Sequence, residues 1–137
     1  MNLEEAVKAA VDEAIKSNIN ETKVKIEEFF NDYKDDLCKL NIYKDNKFIK
    51  QIKLPIELSI IEPTKNNLIV QLYCSNQLDY LLLEIANSGV AFLREEFKRY
   101  LNSNYKTNFN KEDDLYVEPT YRVDIFYKKV LELSTND

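Results

Sequence analysis

The spacing of apolar residues predicts an α+β fold, with a mainly antiparallel sheet of four to five strands. N-terminal helices and one long central helix are expected to pack on that sheet. Three observations carry this reading. Apolar residues step by threes and fours over 3–40 and again over 78–100, as on one face of a helix. They alternate with largely polar neighbours over 47–61, and strand patterns recur at 68–74 and 115–128. Turn chemistry separates these segments at Asp45-Asn46, over 62–67 and across the asparagine-rich stretch 102–114.

The first element is a pair of helices, 3–17 and 20–39. Leu3, Val7, Val11 and Ile15 mark the apolar stripe of the first, and Ile26, Phe29, Tyr33 and Leu37 that of the second. Asn18 followed by Glu21 resembles a capping box and places a corner between them. One long helix over 3–40 is the alternative, because the stripe stays nearly in phase across the asparagines. Strands are predicted at 47–54, 56–62 and 68–74, with Asn41–Tyr43 pairing back across the Asp45-Asn46 turn. Pro55 lacks an N–H and marks a bend, bulge or edge.

A central helix over 76–102 comes next, capped by Ser75 or Asn76, with Asp79 in its first turn where a negative charge suits the dipole. Gly89, the chain's one glycine, falls on the inner stripe of that helix beside Ala86. A glycine in a helix interior costs about 1 kcal/mol relative to alanine. It therefore reads as a packing notch for another backbone, with the slim helix bearing Ala6, Ala9, Ala10 and Ala14 as its neighbour. A helix break at Asn87-Ser88-Gly89 is the alternative. The remaining strands are predicted at 115–118 and 120–128, the second from the alternation of Tyr121, Val123, Ile125 and Tyr127.

Composition narrows the chemistry. The 137 residues fit one domain, 1–137, with 45% hydrophobic and 31% charged residues, the balance of a globular chain. There is no histidine, which removes histidine-based nucleophile pairs and histidine metal ligands. One glycine makes no phosphate-binding loop. Cys38 and Cys74 have no metal or redox spacing and read as small buried side chains. The paired carboxylates point about 100° apart on a helix and do not converge on a metal. Glu112-Asp113-Asp114 lacks the alternate spacing and turn glycine of a calcium loop. No catalytic, cofactor or metal residue is assigned. No apolar run approaches the roughly 20 residues that cross a bilayer. The acidic start, Met1-Asn2-Leu3-Glu4-Glu5, lacks the basic character of a secretion signal, so a cytoplasmic protein with no membrane contact is expected.

Charge is unevenly distributed. The chain carries a net charge of −5, yet 39–53 holds five lysines against one aspartate, and 94–111 holds five basic against two acidic residues. Lys47, Lys50, Lys98, Arg99, Tyr105, Lys106 and Phe109 are the candidate partner-binding residues, a mixture of cations and aromatic rings. If the central helix lies against the first hairpin, the two blocks join into one positive face. Such a mixture also serves nucleic acid, where cations neutralise phosphates and rings stack on bases. The acidic chain as a whole weighs toward a protein partner or self-association instead.

A non-enzymatic assembly subunit is therefore expected. The order of elements resembles that of small joining subunits of phage tails, a likeness of element order with no motif behind it. The alternative is a small binding inhibitor, of the immunity or anti-defence kind, docking on a toxin or nuclease.

Overall fold

The computed structural model describes residues 19–64, 67–89 and 92–135. The predicted helix over 3–17, and with it the question of one or two helices across 3–40, lies outside the described residues. Helix α1 spans Ile19–Leu37 and buries Thr22, Ile26, Phe30 and Leu37, positions spaced to share one face. Strands β1 (Lys39–Lys44) and β2 (Lys47–Lys53) form an antiparallel hairpin. Asp45 and Asn46 both take positive φ, 51° and 64°, as a two-residue turn matching the strand twist requires. Strands β3 (Glu57–Thr64) and β4 (Asn67–Tyr73) form a second antiparallel pair. Leu54–Ile56 join the two hairpins, with Pro55 outside both sheets.

Helix α2 (Gln77–Ser88) starts on Asn76, whose Oδ1 accepts from the N–H groups of Leu78 and Asp79 at 2.9 and 3.3 Å. Such a cap contributes about 1 kcal/mol. The helix expected over 76–102 comes in two pieces, because α2 ends at Ser88 and α3 spans Glu95–Asn104. Gly89 is the pivot. It is exposed, has φ 75° and ψ 24°, and a Cβ built on it meets nothing within 4 Å. The packing-notch reading is thus overturned in favour of the break. Glycine serves here because the left-handed cap excludes other side chains by backbone strain, not by crowding.

Strand β5 (Leu115–Pro119) pairs antiparallel with β1, giving the order β2-β1-β5 beside the two-stranded β3-β4. The strand expected at 120–128 is instead the start of helix α4, Val123–Thr135. Its buried residues Val123, Phe126, Tyr127 and Val130 recur at helical spacing, which the alternation of Tyr121, Val123, Ile125 and Tyr127 masks. Asn87 holds the start of α4 in place. Its Oδ1 accepts from Val123 N–H at 3.0 Å, and its Nδ2 donates to the Leu83 carbonyl at 2.9 Å.

The fold class is α+β. Its core runs continuously from Ile26 and Phe30 of α1 through Leu40, Ile42 and Ile52 of the first hairpin. Val70 and Leu72 of β4, Leu82 and Leu83 of α2, and Phe126 and Tyr127 of α4 complete it. No described helix is long and apolar enough to cross a membrane.

Candidate functional site: a pinned loop beside a basic hairpin

The segment after α3 is polar and rich in asparagine, yet buried and half-buried side chains tie it down along its length. Asn102 does most of this locally. Its Oδ1 accepts from Thr107 Oγ1 at 2.7 Å and Phe109 N–H at 2.8 Å, while its Nδ2 donates to the Phe109 carbonyl at 2.9 Å. Tyr105 is drawn inward. Its hydroxyl donates to Asp79 Oδ1 at 2.6 Å, and Tyr100 donates to the same oxygen at 2.9 Å. Asp79 is 4% exposed, so the two hydroxyls give a buried carboxylate partners that water does not supply.

Burial, then the hydrogen bond to Asp79, pushes the Tyr100 hydroxyl up to about 12. The same causes raise Tyr105 further. Burial also pushes the Cys74 thiol up to about 12, with the Asp79 and Glu57 carboxylates adding to it. A thiol held in its protonated form is a poor nucleophile.

The far end of the loop is fastened to the hairpin. Lys98 is 6% exposed and donates from Nζ to the Lys111 carbonyl at 2.8 Å. Asp113 Oδ2 accepts from Asn110 N–H at 2.9 Å, and Asp113 Oδ1 pairs with Lys44 at 3.0 Å. These two contacts, in that order, lower the Asp113 carboxyl below the ordinary carboxylate range. Lys50 Nζ lies 3.5 Å from the carbonyl of Lys106, whose φ of 56° is unusual for a residue with a side chain.

The structure therefore brings the two basic blocks side by side, but it sorts their members. Lys47 is exposed on β2, and Lys50 and Lys106 meet at the seam. Lys98 is turned into the interior. Arg99 pairs along its own helix with Glu95 at 3.2 Å. Tyr105 points at Asp79, and Phe109 packs half-buried on the core. Lys39 and Lys53 are both held by Asp35, at 2.8 and 3.0 Å. Among the described residues, Lys47, Lys50, Lys106 and Lys111 form no salt bridge.

Aromatic residues border this surface on the outer face of the three-stranded sheet. Tyr43 stacks on Tyr116 with centroids 5.1 Å apart and planes 10° apart, and Phe48 meets Tyr43 edge-on at 6.0 Å. Phe48 is 57% exposed. Beyond Tyr116 lies a cleft of about 550 Å³ lined by Asn46, Gly89, Phe92, Glu118 and Arg122 among others. Among the described residues lining it, the one cation, Arg122, is engaged: it pairs with Asp124 at 3.1 Å and donates to the Asn87 carbonyl at 3.2 Å. Among the described residues no group of three or more carboxylates or thiols is close enough to hold a metal ion.

Asp79, Asn102 and Asp113 are the organising residues that reading the sequence missed. Asp79 was assigned only to its helix dipole, and its tyrosine partners lie 21 and 26 positions away with no local pattern to announce them. The chain matches no protein-family model, and neither curated proteins nor solved structures yield a match.

Proposed function

We propose that the chain is a non-enzymatic interaction subunit that docks an acidic protein surface on the seam between the β1–β2 hairpin and the loop 105–111. One observation carries this reading. Lys47, Lys50, Lys106 and Lys111 stand without carboxylate partners among the described residues, with Lys50 and Lys106 meeting where the hairpin and the loop touch. Cations without carboxylate partners attract an acidic partner over distance. The chain itself offers such a partner surface, because α1 exposes Glu28, Asp32 and Asp36. An assembly role of the phage-tail-joining kind suits self-association. A toxin- or nuclease-binding inhibitor suits a separate acidic partner.

The ring geometry supports protein over single-stranded nucleic acid. Tyr43 is already engaged by stacking on Tyr116 and by a near-perpendicular contact with Phe48, so a base would have to compete with its neighbouring rings. The test is sedimentation of the full chain at two concentrations, at low and at physiological salt, with a Lys47→Glu, Lys50→Glu, Lys106→Glu variant alongside. Association that grows with concentration, weakens with salt and disappears in the variant supports assembly. A monomer under all conditions shifts the reading to the inhibitor. Binding of single-stranded RNA by the unmodified chain at physiological salt overturns the protein-partner reading.

A further inference from the structure

The β3–β4 sheet has two edges, and the fold treats them differently. On β4, Leu72 N–H leaves the sheet and donates to the Tyr127 hydroxyl of α4 at 2.7 Å. Directly opposite residues of an antiparallel pair either exchange both hydrogen bonds or point both away. Leu72 stands opposite Leu58, so the N–H and C=O of Leu58 point away from β4 as well. The same parity applies two residues on, where Ile60 stands opposite Val70. On β3 no described group takes the place that Tyr127 takes on β4, and neither Leu58 nor Ile60 has a main-chain partner there among the described residues.

Leu58 and Ile60 line a groove. It lies between β3 and α1, has a volume of about 350 Å³, and is lined by Phe30, Asn31, Lys34, Ile56, Leu58 and Ile60. Phe30 and Ile56 make an apolar floor, and the Lys23–Glu62 salt bridge at 2.7 Å ties α1 to the far end of β3. Charge on the rim is mainly negative. Glu27 and Glu57 line the groove without a salt bridge among the described residues, while Lys34 sits over the Phe30 ring at 5.9 Å. Paired donors and acceptors at alternate residues, an apolar floor and an acidic rim are together the complement of one kind of ligand.

We propose that this groove receives an extended peptide segment of a partner protein, which adds to β3 as a third strand and carries apolar residues alternating with lysine or arginine. The segment exchanges main-chain hydrogen bonds with Leu58 and Ile60, seats its apolar side chains on Phe30 and Ile56, and brings its cations to Glu27 and Glu57. This surface is separate from the lysine seam, so it stands or falls independently of the proposal made for that seam.

The test is amide hydrogen exchange on the full chain titrated with a short synthetic peptide of alternating valine and lysine, blocked at both ends. Exchange at Leu58 and Ile60 is expected to slow by roughly tenfold or more at millimolar probe, with the β1–β2 amides unaffected. A probe N-methylated at alternate residues is expected to give no protection. Ile60→Pro removes the outward donor while sparing the bonds to β4, and should weaken the parent probe about tenfold, the loss of one well-made hydrogen bond. Unchanged exchange at Leu58 and Ile60 overturns the proposal. So does an N-methylated probe that protects as well as the parent, a comparison that holds even if the proline variant fails to fold.

Discussion

The hairpin around Asp45–Asn46 and the loop after α3 lie side by side, joined by Lys44 on Asp113 and by Lys50 on the Lys106 carbonyl. Both are basic and aromatic in sequence. In the loop, the polar groups are used internally: Asp79 takes two tyrosine hydroxyls, Lys98 caps the Lys111 carbonyl, and Asn102 satisfies three groups on Thr107 and Phe109. In the hairpin, the turn sets its own geometry through two positive-φ residues, and Lys47 and Phe48 are left facing water. The same residue types thus serve as scaffold in one segment and as surface in the other. Burial decides which, since a charge held at 6% exposure must be satisfied from within the chain, whereas an exposed one is satisfied by solvent.

Charge reversal breaks this comparison most sharply. Lys98→Glu places a carboxylate against the Lys111 carbonyl in a buried position and is expected to destabilise the fold by about 3 kcal/mol or more, read as a drop in the urea midpoint. An effect no larger than that of a surface substitution would mean that Lys98 is not part of the scaffold.

Alkaline pH acts next, through the buried Tyr127 and Cys74 as well as through the tyrosines held on Asp79. An unfolded tyrosine titrates near pH 10, whereas Tyr100 is pushed up to about 12 and Tyr105 is raised as well. Between about pH 10 and 12 the unfolded chain releases phenolic protons that the folded chain keeps. Stability contributed by these groups is full below the unfolded value and is lost as pH rises through the folded one. Thermal melts should therefore fall steadily above about pH 10, and Tyr105→Phe should flatten the decline. A melting temperature that stays level to pH 11 would contradict the buried Asp79 network.

The smallest effect belongs to the hairpin. Lys47→Glu should leave stability within about 0.5 kcal/mol of the parent, because nothing in the described structure relies on that ammonium. Its consequence is confined to association. A large loss of stability here would erase the distinction between scaffold and surface.

How far the sequence announced this depends on how local each signal was. The α+β class, the two hairpins and the Asn76 cap rest on periodicity and turn residues within a few positions of each other. Helix α4 was hidden because Val123 and Tyr127 satisfy both the two-residue and the four-residue repeat, and only the burial of Phe126 and Val130 decides between them. Gly89 reads from the sequence as a packing notch with a helix break as the alternative, and the break prevails through its left-handed φ. Lys98 and Arg99 are neighbours in sequence that point into and away from the interior, a difference set by the loop that folds over one of them. Joining two basic blocks was legible from charge; sorting their members was not.

The strand order also bears on how the chain assembles in time. β1 finds β2, and β3 finds β4, across turns of a few residues, so each pairing closes a short loop quickly. β5 reaches β1 only after the whole chain between Lys44 and Leu115 has been brought round, a slower search with a larger entropic cost. Until that closure, the side of β1 formed by the main-chain groups of Lys39, Asn41 and Tyr43 is itself an open edge. The nascent or partly unfolded chain therefore exposes a strand margin that the finished molecule conceals, and crowding at that stage, before β5 docks, is the moment at which misassembly between copies is easiest.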